Sequence, residues 1–310
     1  MSKFKEHGAA ISARHRENCR LASTTFSSTW SGRIRSVIPQ GGRSARVLVG
    51  LVQRELVRRR WRLTLCFAGS VGTAVIVQRI SANARSVFRD DGDVLSSLLG
   101  SPIGIVFPLL VTLVGSLPFT RDVANRGVVN ERPRQSYSTL VSSKFIAAGL
   151  LSSVVFFLYG LALTLIASVA WPLLGHPGVK PSVYSNVTPF QQRETFADLS
   201  GGNVLVFGLL MSLWFAFAAA VYSVLTSASL VLVPNRAVAL LLPFAFYLGL
   251  TVVLSVLHEP ALTPMFSVFP AGLEQSPWLI AASPTLLTAL LAAALWVFVV
   301  RRPSESRHLL

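Results

Sequence analysis

Long apolar runs alternate with short polar segments over most of this chain. Six runs stand out, near residues 63–79, 101–120, 145–171, 204–232, 237–257 and 279–300. Most of them reach the roughly 20 residues that an α-helix needs to cross about 30 Å of hydrocarbon. The pattern predicts an all-α integral membrane protein, with six transmembrane helices in a domain at 63–300.

Two segments before the first run have other patterns. Residues 1–42 are rich in Ser, Thr and Arg and have no helical or strand period, so we expect a disordered basic tail. Such an acid-poor start also resembles an organellar transit peptide, although it contains glutamates. In residues 43–62, one helical face carries Leu48, Leu51, Val52 and Leu56, and arginines cover much of the rest. That face predicts an amphipathic helix in the membrane interface; a solvated extension of the first span is the alternative.

One further apolar stretch, 262–272, is too short to cross a membrane. Its length favours a re-entrant or interfacial piece before the last helix.

The composition agrees with a membrane protein. Charged residues are 13% of the chain, about half of the quarter that a soluble domain carries, and the mean hydropathy is +0.58. Most of the net charge of +15 lies before the first run. We interpret this charge as attraction to anionic lipid on the cytoplasmic side rather than as binding to nucleic acid.

Lysine and arginine in the short connections predict the orientation. The inside connections are 121–144, the turn at Arg236 and the tail 301–310, and the outside connections are 80–100, 172–203 and 258–278. Both termini are therefore expected in the cytoplasm. The predicted location is the cell membrane, either a bacterial inner membrane or a plasma membrane.

Catalytic motifs are missing from the sequence. It contains no P-loop, no HExxH and no GxSxG, and its two cysteines, Cys19 and Cys66, cannot form a zinc site. The six runs hold almost no ionisable residue of the kind that ion-coupled transporters use. We therefore expect neither an enzyme nor a resident metal or cofactor.

With this topology, the segment 121–150 resembles the first cytoplasmic loop of ABC type-2 permeases, the membrane subunits of ATP-driven exporters. The similar residues are Asp122, Gly127, the pair Glu131-Arg132, and Tyr137 through Lys144. The six-span plan, the amphipathic helix and the piece before the last span are also similar. The long tail 1–42 has no counterpart in that family.

The resemblance implies a separate ATPase subunit, which holds ATP and Mg, and a second permease subunit in a homo- or heterodimer. The residues that would dock the ATPase through a short helix in 121–143 are Asp122, Arg126, Glu131, Arg132, Arg134 and Tyr137. The transport path would lie between spans two and five, with polar candidates at Ser116, Tyr222, Ser223, Thr226, Tyr247 and Thr251. A path with few charges favours an amphiphilic or hydrophobic cargo, such as a drug, a peptide or a lipid-like molecule.

Two alternatives remain open at this stage. The chain could be an intramembrane enzyme that modifies lipids, for which the acidic cluster of Asp90, Asp91 and Asp93 is the candidate site. It could also be a structural subunit of a membrane complex, with no path of its own.

Overall fold

A computed structural model describes residues 48–53, 69, 87–99, 103–116, 119–120, 136–173, 175, 198–270 and 278–301. Within these ranges the chain is almost entirely helical and contains no β-strand. The main α-helices in these ranges are, in chain order, α1 Asp91–Leu99, α2 Ile103–Val111, α3 Tyr137–Leu165, α4 Val204–Leu232, α5 Arg236–Val256, α6 Pro264–Val268 and α7 Trp278–Arg301. A π-helical turn extends α2 over Thr112–Ser116, and another, Ile166–Ala170, joins α3 to Trp171–Leu173.

Four helical segments are long and apolar enough to cross a membrane: Tyr137–Leu173, Val204–Leu232, Arg236–Val256 and Leu279–Arg301. They confirm the last four predicted runs as helices of membrane-spanning length. A bent pair, Asp91–Leu99 with Ile103–Ser116, would count as a fifth span despite the 55° angle between its halves. The run at 63–79 lies outside the described residues, apart from residue 69. The total of six spans therefore stays a prediction.

The assignment of 80–100 as a loop was wrong for residues 91–99, which form α1. The Asp90 carboxylate accepts the amide N–H of Asp93 at 2.9 Å, and the Asp93 carboxylate accepts that of Arg89 at 3.3 Å. These bonds satisfy amides that a helix start leaves without partners. The next turns bury Val94 and Leu95 completely. The acidic cluster thus begins a buried helix. In the sequence, its three charged residues look like part of a loop.

The start of the third span also differs from expectation. The predicted apolar run begins at 145, but α3 already begins at Tyr137 and continues without a break. The short docking helix expected within 121–143 stays a prediction. The Ser136 hydroxyl caps it by accepting the amide N–H of Thr139 at 3.4 Å. Residues 137–143 therefore belong to the first two turns of the long helix, and 121–135 lie outside the described residues.

Asparagine caps fix the starts of the next two spans. Asn203 accepts the amide N–H of Leu205 at 3.0 Å at the start of α4, and Asn235 accepts that of Ala237 at 3.1 Å at the start of α5. Asn235 follows the end of α4 by three residues, so the two helices form a tight antiparallel hairpin. At the far end of α5, His258 follows the C-cap Leu257 and takes a left-handed conformation with φ of 61°, as the residue after a helix C-cap commonly does.

Small residues hold α3 and α4 close together. A Cβ atom added to Gly160 would lie 2.9 Å from the Cα of Ser212, and one added to Gly208 would collide with Thr164. Gly149 faces Ala220 at ordinary van der Waals distance. On α4 the contacting residues recur every four positions, as Gly208, Ser212, Ala216 and Ala220. This spacing is typical of membrane helices whose backbones approach closely.

The segment predicted as a re-entrant or interfacial piece contains α6, which is too short to span. The Trp214 indole N–H donates to the carbonyl of Ser267 at 2.8 Å. The Ser267 hydroxyl accepts the amide N–H of Thr285 at 3.1 Å, one residue after Pro284 in α7. Proline interrupts the hydrogen bonding of a helix, so α6 supplies a partner at that interruption. Its depth in the membrane stays a prediction.

Part of the predicted interfacial helix is described. Residues 48–53 are helical, Val52 is buried, and Leu48 and Leu51 are half-buried, whereas Val49 and Gln53 are exposed. The rest of 43–62 lies outside the described residues, and the interfacial helix stays a prediction.

Candidate functional site: a buried hydroxyl seam

Hydroxyl side chains from three helices meet inside the bundle. We call the set the hydroxyl seam; its members are Thr112, Ser116, Ser152, Ser223, Thr226 and Ser227. At the α2–α4 contact, the Oγ1 atoms of Thr112 and Thr226 are 3.2 Å apart, and the Oγ atoms of Ser116 and Ser227 are 3.4 Å apart. The Ser116 hydroxyl also donates to the carbonyl of Ser223 at 3.4 Å. These contacts are long for hydroxyl–oxygen bonds, which are commonly about 2.7–2.8 Å.

Two members of the seam have no hydrogen-bond partner. The hydroxyls of Ser152 and Ser223 are completely buried and make no hydrogen bond. Both are packed against Gly115, where an added Cβ would collide with the two Oγ atoms and lie 2.9 Å from the carbonyl of Ala148. No space for a water molecule lies between these oxygens and the glycine. The two hydroxyls are therefore dehydrated without compensation, which costs on the order of 1–3 kcal/mol each.

The backbone of α2 is irregular beside the seam. The π-helical turn covers Thr112–Ser116 and so includes Gly115. Such wide turns are rare and occur frequently at functional sites. One helical turn earlier, Pro108 has no N–H and leaves the carbonyl of Gly104 without its helical donor. The Tyr247 hydroxyl on α5 donates to that carbonyl at 2.6 Å and compensates for the missing bond.

An aromatic cluster closes one side of the seam. The ring of Phe107 makes edge-to-face contacts with Phe156, Tyr222 and Phe269, at centroid distances of 4.9, 5.8 and 5.5 Å. The ring of Tyr222 stands edge-to-face to that of Tyr247 at 5.6 Å. The Tyr222 hydroxyl faces Thr288 on α7 but forms no hydrogen bond of normal geometry.

The structure brings most of the predicted path residues together, but inside the bundle. Ser116, Tyr222, Ser223, Thr226 and Tyr247 are all fully buried. Thr251 is half-buried, and its hydroxyl donates to the carbonyl of Tyr247 at 2.8 Å. Their role in transport stays a prediction.

Sequence reasoning missed three members of the seam. Thr112 lies four residues before Ser116, and Ser227 lies four residues after Ser223, so each pair shares a helix face. This spacing could have identified both. Ser152 lies on a different helix, and no local pattern links it to Gly115.

The described residues around the seam carry no charge, and the buried Lys144 lies about two turns before Ser152 on α3. No Asp, Glu, Lys, Arg or His occurs in 103–116, in 145–173 or in α4. Across the described residues, no group of three His, Cys, Asp or Glu side chains could hold a metal ion. The seam can therefore offer hydrogen bonds, but it can offer neither a charge nor a general acid or base of ordinary strength.

A second hydrophobic cluster joins the helix ends that we assigned to one side of the membrane. It packs Tyr137, Leu140 and Phe145 of α3 against the end of α4, the start of α5 and the end of α7. The partners are Phe119, Ala228, Leu230, Val231, Ala239 and Val299. The connections predicted as cytoplasmic thus emerge at a common end of the bundle. That this end faces the cytoplasm stays a prediction.

The predicted docking residues are almost all outside the described part of the chain. Asp122, Arg126, Glu131, Arg132 and Arg134 lie within 121–135. Tyr137 is described, and with 8% of its surface exposed it is a packed member of the second cluster. Nothing in the described structure tests docking at these positions.

The fold and the seam define a helical protein whose long apolar helices are typical of an integral membrane protein. No family model, curated protein or solved structure matches the chain.

Proposed function

We propose that this chain is the membrane-spanning permease subunit of an ATP-driven ABC exporter. A separate ATPase subunit would bind the loop 121–144, a second permease subunit would complete the complex, and ATP and Mg would be held by the ATPase. The cargo is amphiphilic or hydrophobic, the protein resides in the cell membrane, and both termini lie in the cytoplasm.

The length of the third span is the observation that carries this proposal. The segment Tyr137–Leu173 has 37 residues, which at 1.5 Å per residue make a rod about 55 Å long. A membrane crossing needs only about 30 Å. About 12 Å of the surplus, residues 137–144, lies at the start of the helix, before the apolar run that begins at Phe145. The first turns of α3 would then project toward the basic loop as a rigid lever.

The packing around the lever supports coupling to the rest of the bundle. The second hydrophobic cluster connects Tyr137 and Leu140 with the ends of α4, α5 and α7. In addition, the indole N–H of Trp296 on α7 donates to the Ser142 hydroxyl at 3.2 Å. A force on the start of α3 would therefore reach three other helices without passing through the lipid.

The lack of charged side chains around the seam supports an external source of energy. A proton- or ion-coupled transporter would need ionisable side chains such as Asp, Glu, His or Arg within its spans. The helices that carry the seam contain none of these four, and Lys144 precedes the apolar run of α3. The acidic cluster, which was the candidate site of a lipid-modifying enzyme, contains two residues that cap the start of α1.

Charge reversal in the basic loop tests the proposal. We expect the double variant Arg132→Glu, Arg134→Glu to abolish ATPase association while membrane insertion is unchanged, because these charges would orient the docking contact. Co-purification of the ATPase with the tagged full-length chain measures association, and the amount of chain in washed membranes measures insertion.

The matched control is Arg301→Glu, Arg302→Glu, which reverses two charges on the same predicted side but outside the loop. We expect this control to retain the ATPase. Retention of the ATPase by the Arg132, Arg134 variant would exclude docking through these residues, and equal loss in both variants would indicate that only the overall positive charge matters.

A further inference from the structure

The hydroxyl seam is closed in this structure, yet several of its hydroxyls lack good hydrogen-bond partners. Ser152 and Ser223 each bury a hydroxyl that has no partner, and the contacts between Ser116 and Ser227 and between Thr112 and Thr226 are long. Among these residues the Thr226 hydroxyl is better satisfied, because it also donates to the carbonyl of Tyr222 at 2.8 Å. A stable core position rarely leaves several polar groups in this state, because each unmet hydroxyl opposes folding. The arrangement indicates a second state in which these oxygens have other partners.

We propose that the hydroxyl seam opens between α2 and the α3–α4 pair to form a binding site for an uncharged hydrogen-bonding group, such as the hydroxyl or amide part of an amphiphilic molecule. The proposal deepens the proposed function and rests on it for the identity of the ligand as cargo. The existence of the site itself depends only on the seam.

The chemistry of the seam determines the ligand class. Each of its six hydroxyls can both donate and accept a hydrogen bond, so the site can match a hydroxyl or an amide in either orientation. A bare charge would be poorly solvated there, since 103–116, 145–173 and α4 contain no charged side chain, and the buried Lys144 lies eight residues before Ser152. The aromatic cluster around Phe107 and Tyr222 provides apolar surface beside the hydroxyls for the rest of the ligand.

The boundary between α2 and its neighbours is the one that can open. At the level of Thr112–Ser116, the contacts across it are the weak hydroxyl pairs and the close approach of Gly115 to two unpartnered serines. Nearer the start of α2, Phe107 packs against Phe156 and Tyr222, so the opening is confined to the Thr112–Ser116 end. The α3–α4 boundary is different, because the Ser153 hydroxyl donates to the carbonyl of Ala216 at 2.9 Å across the small-residue contact. The π-helical turn at Thr112–Ser116 also leaves α2 with a less regular backbone at this place.

Cysteine labelling of the full-length chain in lipid nanodiscs tests the opening. In a background of Cys19→Ser and Cys66→Ala, Ser116→Cys and Ser227→Cys report on the seam. Ser212→Cys is the matched control, since Ser212 is equally buried but lies in the tight α3–α4 contact. The probes are N-ethylmaleimide, which is neutral, and a sulfonated methanethiosulfonate, which is anionic.

We expect N-ethylmaleimide to label positions 116 and 227 at least about tenfold faster than position 212, because labelling follows the population of the open state. The anionic probe should label 116 and 227 no faster than 212. Equally slow neutral labelling at all three positions would overturn the opening, and fast labelling by the anionic probe would overturn the neutral ligand class.

A second measurement removes the unpartnered hydroxyls themselves. The variant Ser152→Ala, Ser223→Ala removes the two unpartnered hydroxyls, so the closed packing should gain stability. We expect an unchanged or higher melting temperature together with at least about tenfold slower labelling at Ser227→Cys in the same chain. A lower melting temperature would show that the hydroxyls stabilise the closed state and would contradict the proposal.

These results are independent of the ATPase. If the seam opens but charge reversal in the basic loop leaves ATPase association intact, the docking proposal fails and the site remains. If the seam never opens while the ATPase binds as expected, the proposed binding site is contradicted and the proposed exporter function is not.

Discussion

Replacing Gly115 by alanine should strongly destabilise the bundle. The new Cβ would collide with the hydroxyls of Ser152 and Ser223 and would lie 2.9 Å from the carbonyl of Ala148. Because the carbonyl is backbone, α2 must move away from α3 and α4. Overpacking of this kind costs about 1–3 kcal/mol, so the melting temperature of the detergent-purified chain should fall clearly.

The controls for this variant come from the same contact. Gly149→Ala on α3 places its Cβ at ordinary van der Waals distance, 3.6 Å from Val224, and should leave the melting temperature almost unchanged. Adding Ser152→Ala and Ser223→Ala to Gly115→Ala removes two of the three collisions and should restore part of the loss. An unchanged melting temperature for Gly115→Ala would mean that α2 does not pack here as described.

Replacing Gly208 by alanine should be at least as harmful. Three side-chain atoms of Thr164, Cγ2, Oγ1 and Cβ, occupy the place of the new Cβ, the Cβ itself at 2.7 Å. The hydroxyl of Thr164 is held in place by donating to the carbonyl of Gly160 at 2.9 Å. The α3–α4 pair would have to separate, and we expect a loss near the upper end of the about 1–3 kcal/mol range.

Making Thr164 smaller while Gly208 becomes larger tests whether the loss of stability in Gly208→Ala comes from the collision. Thr164→Gly alone should destabilise modestly, by about 1 kcal/mol or less, through the flexibility of glycine in a helix. Combined with Gly208→Ala, it should recover most of the melting temperature, so the two changes are strongly non-additive. Purely additive losses would contradict the close approach of α3 and α4.

The periodicity of apolar residues was enough to predict the long helices, because a span needs little more than about 20 apolar residues in a row. It failed for α1, where Asp90 and Asp93 precede the apolar residues and look like a loop. The capping role of these carboxylates depends on the three-residue distance between them, and the burial of Val94 and Leu95 depends on partners elsewhere in the chain.

The candidate site was predictable in part for a similar reason. Ser116, Ser223 and Thr226 are polar residues in apolar runs, and this pattern alone predicts them as candidates. Ser152 becomes relevant only through its contact with Gly115, which joins helices that are separate in the sequence. Which polar residues meet, and which remain without partners, follows from packing that no local pattern specifies.

The central claim is that this chain is a membrane subunit and that a separate ATPase subunit supplies the energy. Affinity purification of the tagged full-length chain from membranes of its natural host, followed by quantitative mass spectrometry, tests it most directly. The account predicts a P-loop ATPase in stoichiometric amount with the chain. Recovery of a functionally complete chain with no nucleotide-hydrolysing companion would contradict it.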